Sequence, residues 1–168
     1  MRKIIVLMVM FSIIFVACSG ENEKDLMNSA KTKIQDQLYA EALVDFEKIV
    51  NDFPETDEAG LAFLEMAKLY QGRAIKTLSE KESYIKAVEY YQVVSNEYSH
   101  IEEAPGALFM SGFLLANEIH DLDNAKLAYE SFLSKYPEHE LAPSAQSELD
   151  NLGLTPEEIL ERAVAQPK

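Results

Sequence analysis

One cysteine, no tryptophan, six glycines and six prolines in 168 residues deprive several structural classes of their raw material. A lone cysteine closes no intramolecular disulfide and supplies no cysteine-rich zinc site. Cations are also short, with 15 Lys+Arg against 29 Asp+Glu and a formal charge of −14. Phosphate backbones are gripped by concentrated Lys and Arg, so nucleic acid is not an expected partner. Glycine is scarce outside expected helix ends, and no stretch alternates with the two-residue period of a half-buried strand. What is present is 48% apolar residues, too many for a disordered chain, in a length that suits one domain with a core.

The apolar residues are unevenly placed. Met1-Arg2-Lys3 is followed by an uncharged apolar run over residues 4–16 and then by Ala17-Cys18-Ser19-Gly20. A basic start, a short apolar run and a small residue at its exit are the parts of a secretory signal peptide, expected here over residues 1–17. The run would span about 20 Å as a helix, short of a hydrocarbon core of about 30 Å. Its exit, Phe15-Val16-Ala17-Cys18, resembles the lipobox of bacterial lipoproteins. The resemblance implies cleavage before Cys18 and covalent diacylglycerol and acyl chains on its sulfur and amine. Two or more chains are what stable anchoring requires. Ser19 is compatible with outer-membrane sorting, and residues 18–24 read as a lipidated, solvated tether. With Arg2 and Lys3 set aside, 13 basic residues face all 29 acidic ones. The leader and the remainder are physically different objects.

Three segments of the remainder align: YAEALVDFEKIVNDFP (39–54), YIKAVEYYQVVSNEYS (84–99) and LDNAKLAYESFLSKYP (122–137). They share an alanine (Ala42, Ala87, Ala125), an aromatic four residues on (Phe46, Tyr91, Tyr129) and an apolar residue three beyond that (Ile49, Val94, Phe132). That spacing is one face of an α-helix. Each segment ends on an aromatic (Phe53, Tyr98, Tyr136), followed by proline in two cases, Pro54 and Pro137, and by Ser99 in the other. The residue before a proline is pushed out of the helical region, so the helices stop there. Partner helices are expected over residues 25–34, 60–72 and 106–119, with Ala30, Ala67 and Gly112 where helices approach closely.

Helix pairs with a small residue facing Ala-x₃-aromatic, closed by proline, resemble the tetratricopeptide repeat. The expected fold is therefore an all-α solenoid of about three helix pairs. Repeats are expected over residues 25–54, 55–99 and 100–137, with two capping helices over residues 138–168. The tryptophan usual in the repeat is replaced by Leu26, Phe63 and Phe109. The alanine columns stand 45 and 38 residues apart rather than about 34, and the polar stretch around 77–83 carries the first excess, as a longer connection or a longer helix. In the cap, Gly153 suits a helix C′ position. Thr155-Pro156-Glu157-Glu158 supplies an N-cap, an N1 proline and a reciprocal glutamate, with Ile159, Leu160 and Val164 expected to pack back.

Catalytic constellations are not found in the sequence. His100, His120 and His139 fall in separate inter-helix turns, and the sequence has neither a nucleophile elbow nor a glycine-rich phosphate loop. The pairs Glu80/Glu82, Glu102/Glu103 and Glu157/Glu158 fall on solvated turns and helix starts, where carboxylates solubilise rather than catalyse. Neither a metal, a soluble cofactor nor a small-molecule substrate is expected, and the chain reads as a non-enzyme. The resemblance implies a concave groove lined by the first helices of the pairs, near Met27, Lys31, Leu64, Lys68, Phe109 and Phe113. Only Lys31 and Lys68 resemble the basic set with which eukaryotic relatives clamp a C-terminal carboxylate, so that ligand is not expected. Lipidation and repeats ending FEKIVNDFP and YESFLSKYP resemble the outer-membrane assembly lipoproteins of the BamD type and the repeat domain of the Tol–Pal coordinator. That resemblance implies a scaffold at the periplasmic face of the outer membrane, serving outer-membrane protein assembly or, alternatively, the cell-wall and division machinery.

Overall fold

Side-chain caps mark where the helices begin. In the computed structural model, which describes residues 21–165, the Asn22 side chain accepts hydrogen bonds from the backbone N–H groups of Lys24 (3.0 Å) and Asp25 (2.9 Å), starting α1 (Glu23–Gln35). The expected tether is thus cut short, because part of its acidic stretch forms the first turn of α1, where carboxylates favour the helix dipole. After α2 (Tyr39–Asp52), Thr56 caps α3 (Asp57–Gln71). Ser79 and Glu82 form a reciprocal capping box that opens α4 (Glu80–Glu97). A second box, Thr155 with Glu158, opens α8 (Pro156–Ala165) as its sequence requires. Between them lie α5 (Ala104–Leu114), α6 (Leu122–Lys135) and α7 (Ala142–Asn151).

The 45-residue interval resolves into both alternatives at once. A connection over residues 72–79 separates α3 from α4, and α4, at 18 residues, is the longest of the described helices. One element has no counterpart in the sequence reading. Leu115–Ile119 continues α5 as a π-helical turn and ends on His120, whose φ of 61° places it in the left-handed region.

Packing follows the repeat columns. Ala42, Ala87 and Ala125 are fully buried, as are Phe46, Tyr129, Ile49, Val94 and Phe132, with Tyr91 nearly so. Each helix from α1 to α7 packs chiefly on its neighbours along the chain, the arrangement of a helical repeat solenoid. Two glycines set close approaches. A Cβ on Gly60 would stand 2.9 Å from the Tyr98 ring, and one on Gly112 would stand 3.0 Å from the Tyr129 ring. The Tyr98 hydroxyl also donates to the Pro54 carbonyl at 2.7 Å, tying the end of α4 to the turn before α3.

Inside the first pair, Lys33 of α1 reaches Asp45 of α2 at 2.5 Å. Burial alone would push the Asp45 carboxyl up, but hydrogen bonds from Lys33 and Ser29 and the charges of Lys33 and Lys48 outweigh it and hold it below its ordinary value. At the other end, Gly153 adopts φ 80° past α7, the left-handed C′ conformation. The docking of α8 departs from expectation. Ile159 is half-buried and Arg162 donates to the Asp150 carbonyl at 2.6 Å, but Leu160 and Val164 are 66% and 78% exposed.

Candidate functional site

Among the described helices, α5 is the least polar in sequence. No charged residue stands between positions 104 and 117, and apolar side chains occur all round the helix. Such a helix belongs in an interior. One side of α5 does pack inward: Ala104, Ala107, Leu108, Ser111, Gly112 and Leu114 are buried against its neighbours. The other side, with Phe109, Met110 and Phe113, is only half-buried. Phe109 is fixed at its base by the rings of Tyr129 (5.9 Å between centroids) and Phe132 (6.0 Å).

Beside this face lies a groove of about 370 Å³ with an almost wholly apolar lining. Leu64 and Lys68 of α3 form one wall and Phe109 and Met110 of α5 the other, with Tyr91 and Leu141 closing it. Gly106 opens it, because a Cβ there would meet no atom within 4 Å. The Tyr91 hydroxyl donates to Gln71 Oε1 at 2.5 Å; burial, with a contribution from the Glu65 charge, pushes its pKa up to about 12, so it stays a neutral donor. At the rim, Lys68 Nζ is already engaged by Glu65 at 2.8 Å. Glu103 also lines the groove, and it forms no ion pair among the described residues.

Of the groove residues expected from the sequence, the structure brings Leu64, Lys68 and Phe109 together. The other three lie elsewhere. Met27 is buried in the packing of α1, because its position faces the next helices rather than an open side. Lys31, exposed on α1, and Phe113, half-buried on α5, do not line this groove. Gly106, Met110 and Tyr91 were missed as groove residues. The uncharged run across α5 is the signal that could have found the first two; Tyr91 was legible only as a core column. Cys18 and its lipidation lie outside the described residues.

The histidines serve local structure. His100 Nε2 meets Asp57 Oδ1 at 2.9 Å on the surface, and His120 Nδ1 lies 3.2 Å from the Ala116 carbonyl. His139 Nδ1 accepts the Leu141 N–H at 3.1 Å. Among the described residues no group of three or more His, Cys, Asp or Glu side chains could hold a metal ion, and no helix is long and apolar enough to cross a membrane.

Residues 107–139 match the family model of the tetratricopeptide repeat. They run from the second half of the first turn of α5 through the π turn and α6 to the turn that holds His139, and so contain the second wall of the groove. No curated protein matches the chain.

Proposed function

We propose that this chain is a non-enzymatic scaffold of the bacterial cell envelope, held by lipid on Cys18 and engaging partner proteins through the groove between α3 and α5. Tetratricopeptide repeats are typically protein-interaction modules, and the match over residues 107–139 supports that class of function. The observation that carries the reading is the half-buried, uncharged face of α5 beside an open apolar groove. Apolar surface of this kind, rimmed by polar residues, is typical of an interaction site. Envelope location rests on the basic apolar leader and the exit Phe15-Val16-Ala17-Cys18. Within the envelope, outer-membrane protein assembly is the process that the lipidated repeat architecture fits best.

A photo-cross-linking residue placed at position 68 tests this in cells. The expected outcome is a discrete adduct with an envelope protein, recovered in the membrane fraction, and no such adduct from position 126 on the opposite helix set. Cys18→Ala should abolish incorporation of radiolabelled palmitate and leave the leader uncleaved by the lipoprotein peptidase. Equal adducts from both positions, or palmitate labelling that persists in the Cys18→Ala protein, would overturn the reading.

A further inference from the structure

We infer that the groove between α3 and α5 is built for a cationic amphipathic segment of a partner protein: a bulky apolar side chain entering over Gly106, with Lys or Arg beside it meeting Glu103. The inference deepens the scaffold reading and rests on it.

Shape supports the first half. Gly106 sits in a helix turn where a Cβ would meet no atom within 4 Å, yet no side chain fills the space. The opening leads onto Phe109 and Met110, a rigid ring beside an adaptable thioether, the combination that accepts an inserted apolar group. Charge supports the second half. Lys68, the cation lining the groove, is engaged by Glu65, while Glu103 has no cationic partner among the described residues. At the N-cap position of α5 the Glu103 charge favours the helix dipole, but its side chain caps no backbone group, which leaves the carboxylate open to a cation. An anionic segment would meet net negative charge at the rim and a strongly acidic domain behind it. A second copy of this chain would do the same, since its own surface carries that excess of acid.

The test uses the full chain in nanodiscs of zwitterionic lipid, which do not themselves attract a cationic probe. The probes are two fluorescent synthetic peptides with the same central Leu and Phe, one flanked by Lys and the other by Glu. Fluorescence anisotropy should show the Lys peptide binding more tightly, with the preference shrinking as salt rises. Gly106→Tyr should fill the groove and weaken the Lys peptide at least about tenfold, while the melting temperature stays near that of the parent. Glu103→Lys should cut the preference for the Lys peptide by about fivefold or invert it. Equal binding of both peptides, or indifference to either substitution, overturns the inference. So does concentration-dependent self-association abolished by Gly106→Tyr, which would make a second copy the occupant. If the position-68 adduct forms in cells but the peptides show no charge preference, only this inference fails; if no adduct forms, the scaffold reading falls with it.

Discussion

The Lys33–Asp45 pair shows how one contact fixes the first repeat. Asp45 is buried at 4% exposure, and its charge is tolerated only because Lys33 and Ser29 bind it. Asp45→Asn keeps the shape but removes the charge, and should destabilise the protein by about 1–3 kcal/mol at neutral pH, measured by urea unfolding. The sign with pH follows from the lowered folded pKa. The contribution is complete above the unfolded aspartate value of about 3.9 and disappears as pH falls through the depressed folded value. The gap between parent and variant should therefore be constant from pH 7 to about 5 and close in stronger acid. A gap that instead widens in acid would reverse the assignment. This pair was not legible in the sequence. Lys33 and Asp45 are twelve positions apart on different helices, and which of several carboxylates Lys33 meets depends on the rotation of α1 against α2.

At the scale of the element, helix starts were legible where chemistry is local. Thr155, Pro156 and Glu158 mark the start of α8 by themselves, and the alanine columns mark the buried faces of α2, α4 and α6. What was not legible is whether an element finds a partner. α8 has a sound cap and apolar residues, but Leu160 and Val164 remain exposed, while Ile159 is half-buried and Arg162 donates to Asp150 of α7. The π turn escaped notice for a different reason, since Leu114-Leu115-Ala116 continues an apolar pattern with no breaker in it. A chain ending after Leu154 should then melt within a few degrees of the full chain, because the apolar area lost is small. A fall of more than about 10 °C in differential scanning calorimetry would show that α8 contributes to the core in a way its exposure contradicts.

Taken as a whole, the molecule has acid spread over a solenoid whose least charged element is central rather than terminal. Of the candidate groove residues, Met27 was drawn into packing, while Leu64 and Lys68 of α3 and Phe109 of α5 stayed beside an opening. Repeat positions show which helix faces a groove; they do not show which neighbour covers it. The neighbour-to-neighbour packing described above also has a consequence in time. Because helices up to α7 close mainly on those just before and after them, little of the fold waits for distant chain to arrive. Low separation between contacting residues predicts refolding on a scale of about microseconds to milliseconds, which stopped-flow or temperature-jump fluorescence would measure. A dominant phase of seconds would contradict it. A chain emerging N-terminus first could close its Lys33–Asp45 pair before α7 had emerged, so the order of emergence becomes the order of assembly.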